Sequence, residues 1–326
     1  MERAAEPVAD SNAERTVRIS RRWFAADAVV AIELQAIDGG CLPAWAPGAH
    51  IDLVLPTGTV RQYSLCGDLN DRTTWRVAIL RENDGRGGSL WIHDHLAEGD
   101  IVSVRGPRNH FRLDAARQYI FIGGGIGITP ILPMVAEAHA SGSDYRLAYA
   151  GRSRTSMAFL HDLDQFMGRV ELYPREEAGR VNLDRLLADV TDDTLIYCCG
   201  PSSLLDAVEE RTGHWPPGSV RTERFRASDA QALSSAADQA FEVELAVDGR
   251  VLEVPADRTL LSVLEDAGAD VVSSCGEGTC GSCEAPVLSG DVDHRDSVLT
   301  PAEQAEGSKI MICVSRCRGG RLVLDV

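Results

Sequence analysis

The sequence predicts three domains of different class: an antiparallel β-barrel, a doubly wound parallel α/β sheet, and a smaller α+β unit. Three observations predict them. Short apolar runs separated by turn residues extend to about Phe111. From Arg117 onward, strand-like and helix-like segments alternate. A stretch of small and polar residues then precedes a cysteine-bearing segment. A chain of 326 residues suits two or three domains of roughly 100–200 residues each. Its 44% hydrophobic and 25% charged residues are ordinary for a folded soluble protein, long enough to bury real cores without staples.

Residues 1–15 are polar and read as a disordered N-terminus. Residues 16–112 carry the runs VVAIEL (29–34), HIDLVL (50–55), VRQYSL (60–65), WRVAIL (75–80) and DIVSVRG (100–106). Short strands at this spacing indicate a barrel or sandwich. One helix, Ser89–Leu96, interrupts them after Gly87-Gly88.

Residues 113–226 read as strands at 119–124, 144–151, 170–174, 194–200 and 220–225, with helices at 130–140, 156–166, 181–190 and 201–213. Such alternation means a parallel, doubly wound sheet. Tyr119–Ala136 is 18 uncharged residues, long enough to be weighed as a membrane span. Gly123–Gly125, Gly127, Pro130 and Pro133 instead read as a buried strand, a tight turn and a helix start. Residues 227–240 read as a linker, at most about 50 Å when extended. Residues 241–326 begin with a hairpin turning at Asp248-Gly249, followed by a helix near Thr259–Ala267 and an apolar strand, KIMICV.

The net charge of −17 excludes nucleic acid as the main partner and favours a basic protein. Of this, 16 Asp and Glu against 7 Lys and Arg within 241–326 give −9. Lys309 is the single lysine beside 31 arginines, read as compositional bias. The N-terminal residues show no apolar signal core, and the nine cysteines are an odd number. Together these indicate a cytoplasmic protein without a disulfide framework or a membrane anchor.

Cys275, Cys280 and Cys283 follow a Cys-x4-Cys-x2-Cys pattern, with Cys313 further on. This is the plant-type ligand spacing for a 2Fe–2S cluster. Gly276, Gly278 and Gly281 let the backbone wrap closely, and small Thr279 and Ser282 leave room. A structural zinc site is the alternative, but zinc ribbons use paired Cys-x2-Cys knuckles and only one such pair is present. Cys317 reads as a spare thiol.

Gly125-Ile126-Gly127-Ile128-Thr129-Pro130 lies between a strand and a helix, where a pyrophosphate can approach the backbone. Cys199-Gly200-Pro201 ends another strand of the same sheet, and Gly151–Arg154 a third. Strand ends of this kind line the ligand crevice of an open parallel sheet. Taken alone, Cys199 is as readily a small buried hydrophobe. In the barrel, alternation sends Arg61, Tyr63 and Leu65 one way and Gln62 and Ser64 the other. Arg61 suits a phosphate, Tyr63 a flat ring, and Gly87-Gly88-Ser89 opens a helix. By themselves Ser89 is a plain N-cap and Tyr63 a core residue.

In this order, Arg-x-Tyr-Ser, Gly-x-Gly-x-x-Pro, Cys-Gly-Pro and Glu-x-Phe (Glu223, Phe225) resemble the ferredoxin–NAD(P)+ reductase superfamily. The C-terminal cysteine loop, Gly-Arg-Gly-Gly-Ser (85–89) and Gly-Pro-Arg-Asn-His-Phe (106–111) narrow the resemblance to the phthalate dioxygenase reductase family, which includes vanillate O-demethylase reductases. It covers nearly the whole chain beyond residues 1–15 and the linker. The resemblance implies a flavin barrel, a nucleotide domain and a β-grasp plant-type ferredoxin domain. It also implies hydride transfer from NADH to flavin, then single electrons to the cluster and to a Rieske-type terminal oxygenase.

Carried over by motif, Ser64 is expected beside flavin N5, Tyr63 against the ring, and Arg61 with Ser89 at the phosphate. Gln62, Leu65, Val77, Ala78, Ile79, Gly87 and Gly88 complete the flavin set. Cys199, Glu223 and Phe225 are expected near the nicotinamide. Gly125, Gly127, Ile128, Thr129, Pro130, Gly200 and Pro201 cradle the pyrophosphate. Arg152 and Ser153 are expected at the adenosine end, where Arg152 and Arg154 leave NADPH open beside NADH. The Gly-Arg-Gly-Gly-Ser loop resembles the FMN branch rather than the FAD branch. Cys275, Cys280, Cys283 and Cys313 would ligate iron. Other acceptors, a diiron monooxygenase or a cytochrome, and a non-turnover redox sensor remain as alternatives.

Overall fold

The computed structural model describes residues 13–83, 85–226 and 238–326. Most of the expected disordered N-terminus and linker therefore lies outside the described residues. Their described ends are ordered: the first strand starts at Glu14, paired to Arg105 at 3.2 Å, and Asp238 is held by Arg295 at 2.6 Å. The chain forms two compact units that divide between Glu223 and Arg224.

The first unit contains two sheets. The first holds β1 (Glu14–Ala26), β2 (Val29–Ala36), β3 (His50–Val54), β4 (Val60–Ser64), β5 (Trp75–Leu80) and β6 (Ile101–Arg108), in the order β4-β3-β6-β1-β2-β5. Every pairing is antiparallel. The Cys66 N–H donates to the Arg76 carbonyl at 2.8 Å, tying the end of β4 to β5 and closing the barrel. Its interior is filled by Ile19, Ile32, Ile51, Leu53, Trp75 and Val77, all fully buried. β1 has no apolar run to mark it, because arginines alternate with its two fully buried residues, Val17 and Ile19. The helix α1 (Gly88–His95) leaves the barrel beside Arg61.

The second sheet is parallel throughout, with β7 (Gln118–Gly124), β8 (Asp144–Gly151), β9 (Val170–Pro174), β10 (Thr194–Cys199) and β11 (Val220–Glu223) in the order β11-β10-β7-β8-β9. The uncharged stretch is thus β7, a 3-10 turn at Gly125–Gly127 and the helix α2 (Ile128–Ala140). Among the described residues, no helix is long and apolar enough to cross a membrane.

Two expected helices are shorter than their sequence pattern. The segment 156–166 is broken into a 3-10 turn (Arg154–Ser156), one helical turn (Leu160–Leu163) and another 3-10 turn (Asp164–Phe166). Phe159 stands between them at φ 60°, and the left-handed conformation of a bulky residue ends any helix. The expected helix 181–190 is a single turn, Leu183–Leu186, capped by the Asn182 side chain. The last strand stops at Glu223, short of Phe225.

The two sheets fuse into one unit through a shared core. Ala31, Cys66 and Ala78 of the barrel pack into the same buried cluster as Phe121, Tyr149, Met157 and Tyr197. The expected boundary near 112 is therefore a change of sheet within one compact unit.

Among its described residues, the second unit holds a five-stranded mixed sheet, a two-stranded sheet and two helices, Leu260–Asp266 and Pro301–Glu306. Its strands are β12 (Phe241–Leu245), β13 (Val251–Val254), β14 (Glu284–Ser289), β15 (Val292–Asp293), β16 (Lys309–Met311), β17 (Arg316–Cys317) and β18 (Arg321–Leu324). The main sheet runs β13-β12-β18-β14-β16, with β12 and β18 parallel. The helix Leu260–Asp266 buries Leu260, Leu261, Val263 and Leu264 against it. This is a β-grasp arrangement. The apolar run KIMICV is a strand only to Met311, so Cys313 lies in the turn that follows.

Candidate functional site

β7 lies between β8 and β10, where strand order reverses, and this is where open α/β sheets bind ligands. The loops after β7 and β10 touch there. A Cβ on Gly127 would lie 2.3 Å from the Cys199 carbonyl oxygen, and one on Gly124 would lie 2.9 Å from Pro201 Cδ. Gly125 adopts φ +55°, which favours glycine. The fold therefore brings Gly125, Gly127, Ile128, Thr129 and Pro130 together with Cys199, Gly200 and Pro201. Ile128 is fully buried, and the Thr129 hydroxyl donates to the Ile126 carbonyl at 2.9 Å. Both side chains hold the turn, leaving the backbone to face a ligand.

Cys199 is fully buried, and its thiol donates to Glu223 Oε2 over 3.9 Å. The two residues are register partners on β10 and β11. Burial is the main cause of both shifts: the Glu223 carboxyl rises to about 8, and the Cys199 thiol rises well above its ordinary value. Phe225 falls beyond β11, in the second unit, and is 41% exposed.

The loop after β8 is built from local hydrogen bonds. Ser153 and Ser156 form a reciprocal capping box, and the Arg152 carbonyl accepts the Glu176 N–H at 3.2 Å. Arg154 is engaged by Glu177 at 2.8 Å.

On the barrel, Arg61 lies directly against the start of α1: a Cβ on Gly88 would meet Arg61 Nε at 2.7 Å. Its guanidinium donates to the Val60 and Arg86 carbonyls. Gly87 is left-handed at φ 79°, and α1 has no acidic residue in its first turn. Ser89 Oγ accepts the Glu82 N–H at 3.2 Å. Arg61, Gly87, Gly88 and Ser89 thus converge on one helix N-terminus, with the chemistry of a phosphate cradle.

The other expected flavin residues divide. Tyr63 is half-buried against the barrel core, and desolvation lifts its phenol far above the ordinary range. Ser64 is buried opposite His50. The Gln62 amide donates to Asp52 at 2.9 Å, and buried Asp52 pairs with Arg108 at 2.5 Å. Leu65, Val77 and Ile79 are fully buried in the barrel interior, whereas Ala78 faces the nucleotide sheet. Strand alternation separates the side chains of neighbours in this way.

In the second unit, Cys275, Cys280, Cys283 and Cys313 are each 3–4% exposed. Their thiols interact, Cys275 with Cys280 and Cys313, and Cys283 with Cys313. Gly276, Gly278 and Gly281 all lie near φ +70°, and the Glu277 N–H donates to Cys275 Sγ at 3.2 Å. Cys280 Sγ is 3.3 Å from Ser282 Oγ. Four buried thiols in a loop with inward-aimed donors fit an iron–sulfur cluster. Among the described residues, no set of His, Cys, Asp or Glu has the arrangement of a single-ion site. Cys317 packs at the edge of the core, outside the thiol set.

Sequence reading missed Asp52 and Arg108 behind β4, and Glu177 beside Arg154. An acidic residue inside the apolar run HIDLVL was the available signal for Asp52, and Arg108 lies in the Gly-Pro-Arg-Asn-His-Phe motif without having been given a role; Glu177 carried no signal.

Residues 243–318 match the family described as a 2Fe-2S iron-sulfur cluster binding domain. The putative toluene-4-sulfonate monooxygenase system reductase subunit of Comamonas testosteroni is 43% identical over 303 residues, covering 91% of this chain and 94% of that protein. The solved structure of a phthalate dioxygenase reductase, described as modular for electron transfer from pyridine nucleotides to 2Fe–2S, is 38% identical with a TM-score of 0.70. The match covers 96% of this chain and 98% of that one. The chain belongs to the phthalate dioxygenase reductase family. A type IV self-sufficient cytochrome P450 monooxygenase contains a similar stretch, with a TM-score of 0.91 and 45% identity over 99% of this chain. The reductase chain spans only 43% of that larger protein. As a member of its family it is an oxidoreductase of the reductase-subunit type, with a 2Fe–2S domain at its C-terminal end.

Proposed function

We propose that this reductase carries electrons from NADH through FMN and a 2Fe–2S cluster to the Rieske-type terminal oxygenase of a two-component system. One observation carries the reading. The switch-point crevice, with Cys199 and Glu223 in it, belongs to the same compact unit as the Arg61–α1 cradle. Bound FMN supplies the exchange between a two-electron donor and one-electron carriers, and the cluster supplies the single-electron relay.

The chain's own residues bind and orient. Arg61 and the first N–H groups of α1 hold a phosphate, with Ser89 beside them. Tyr63 and Ser64 are presented by β4, whose register is fixed from behind by Gln62, Asp52 and Arg108. The backbone of Gly125 and Gly127 admits a pyrophosphate. Burial raises the pKa of both Cys199 and Glu223, which favours their uncharged forms beside the nicotinamide. Hydride transfer needs alignment more than acid–base chemistry, and nothing here demands a strong acid or base. Arg154 is taken up by Glu177, whose carboxylate disfavours a 2′-phosphate, which supports NADH as the coenzyme. The compact Gly-Arg-Gly-Gly-Ser loop supports FMN. Thiol ligation of a cluster suits the reducing cytoplasm.

A haem protein as acceptor is the second reading, favoured by the likeness to a P450 monooxygenase. Anaerobic addition of NADH to the holoprotein tests the core proposal: both flavin and cluster absorption should bleach, and the released flavin should have the mass of FMN. Flavin that stays oxidised overturns it. Parallel turnover assays with a Rieske oxygenase and a P450 haem domain decide between the acceptors.

A further inference from the structure

Arg76 makes contacts that the reading above does not use. It lies on β5 between Trp75 and Val77, which fill the barrel, so its own side chain leaves by the opposite face. There its Nε and one Nη both donate to the Cys66 carbonyl, at 3.0 and 2.6 Å. The other Nη pairs with Asp162 Oδ1 at 2.8 Å. The guanidinium carbon also lies 4.7 Å from the Phe159 ring centroid.

These partners belong to the two halves of the unit. Cys66 is two residues past Ser64 at the end of the flavin strand. Phe159 and Asp162 lie in the segment that starts with the Ser153 capping box beside Arg152. Phe159 is held left-handed at φ 60° with its ring buried. A second tie runs alongside, from the Asp27 N–H at the β1–β2 turn to the Thr155 carbonyl at 2.7 Å. Beneath both, Met157, Ala158 and Phe159 pack into the core shared with Cys66 and Ala78. Arg76 retains 18% of its side-chain exposure and Asp162 31%, so the pair is partly buried and salt screens it less than a surface pair.

We infer that Arg76 is a positioning residue for hydride transfer. Its planar guanidinium grips the flavin strand with one edge and the coenzyme loop with the other, and so fixes how nicotinamide and flavin face each other. The inference rests on the proposed NADH-to-flavin reaction. In that step the C4–H bond of NADH breaks and the N5–H bond of the flavin forms, both electrons travelling with the hydride and NAD+ departing. Lysine is a partial substitute, because it keeps the charge for Asp162 but lacks the flat fork.

The test uses full-length holoprotein carrying Arg76→Met, Arg76→Lys or Asp162→Asn. Rapid anaerobic mixing gives the flavin-reduction rate at saturating NADH and the coenzyme Kd, each per bound flavin. For Arg76→Met, reduction should slow roughly tenfold or more, since misplacements of about 1 Å cost up to about 100-fold. The coenzyme Kd should change little, because the crevice itself is untouched. Arg76→Lys should recover part of the rate. Should Arg76→Met fail to keep its flavin, Asp162→Asn and Arg76→Lys, both also expected to slow reduction, decide the question. A lowered melting temperature with an unchanged rate per flavin reduces Arg76 to a structural tie and overturns the inference. Wild-type flavin that NADH does not reduce overturns the underlying reaction instead.

Discussion

Gly127 and Cys199 meet backbone to backbone: a Cβ built on Gly127 would lie 2.3 Å from the Cys199 carbonyl oxygen and 2.4 Å from its carbon. The backbone of Gly127 is ordinary right-handed helix at φ −62°, so space alone demands glycine here. Gly127→Ala must therefore push the two crevice loops apart. Overpacking of this kind costs about 1–3 kcal/mol, and the crevice should open enough to raise the NADH Kd. Thermal unfolding and equilibrium coenzyme titration check both; an alanine variant with wild-type affinity contradicts the shared crevice.

Glu223 gives a pH dependence with a definite sign. Its folded carboxyl sits at about 8 against a reference of 4.5, mainly through burial. The folded state thus holds a proton that the unfolded state has released, and stability falls as pH rises from about 4.5 to about 8. Glu223→Gln should match wild type near the acid end of that window and exceed it above the alkaline end. Denaturant melts at the two extremes measure this. Parallel pH profiles for the two proteins mean that Glu223 is charged in the fold.

Arg61 and the α1 N-terminus are the proposed cradle of the flavin phosphate. A charge-assisted hydrogen bond is worth about 1.5–3 kcal/mol, so Arg61→Gln should weaken FMN binding by roughly 10- to 150-fold. Flavin fluorescence titration of the apoprotein reads this directly, and an unaltered Kd removes Arg61 from the cradle.

Cys280→Ser should abolish the cluster's visible absorption while leaving the flavin bound and reducible by NADH. Electron transfer to an external one-electron acceptor should stop. Cys317→Ser should retain the cluster, because Cys317 stands outside the four interacting thiols. Iron and sulfide analysis of both variants provides the comparison; loss of iron from Cys317→Ser redraws the ligand set.

The second unit's −9 charge should steer a basic acceptor. Initial rates of acceptor reduction should fall as ionic strength rises from about 0.01 to 0.15 M, over which the screening length shrinks from about 30 to 8 Å. Rates that ignore salt mean that the charge serves solubility alone.

Much of this protein was legible in short stretches of its sequence. The thiol spacing from Cys275 to Cys283 is carried by a few consecutive residues, and so is the turn from Gly125 to Pro130. Loops this short leave the backbone few ways to run, so composition and geometry are nearly the same statement. The strand–helix alternation after Arg117 gave the parallel sheet for a similar reason. Reading failed where one residue overruled its neighbours. Phe159 broke an apparently continuous helix because its ring is claimed by the core and by Arg76.

The sequence by itself determined the barrel, the parallel sheet and the cysteine-bearing unit, their order along the chain, the four-cysteine pattern and the two glycine-rich turns, since each depends on residues close together in the chain. Only the tertiary structure decided that the first two sheets share one core, that Glu223 lies beside the buried Cys199 thiol, and that Arg76 joins Cys66 to Asp162. Those facts depend on which distant residues are buried against one another, and burial sets both the strength of a charge contact and the affinity of a carboxyl for its proton.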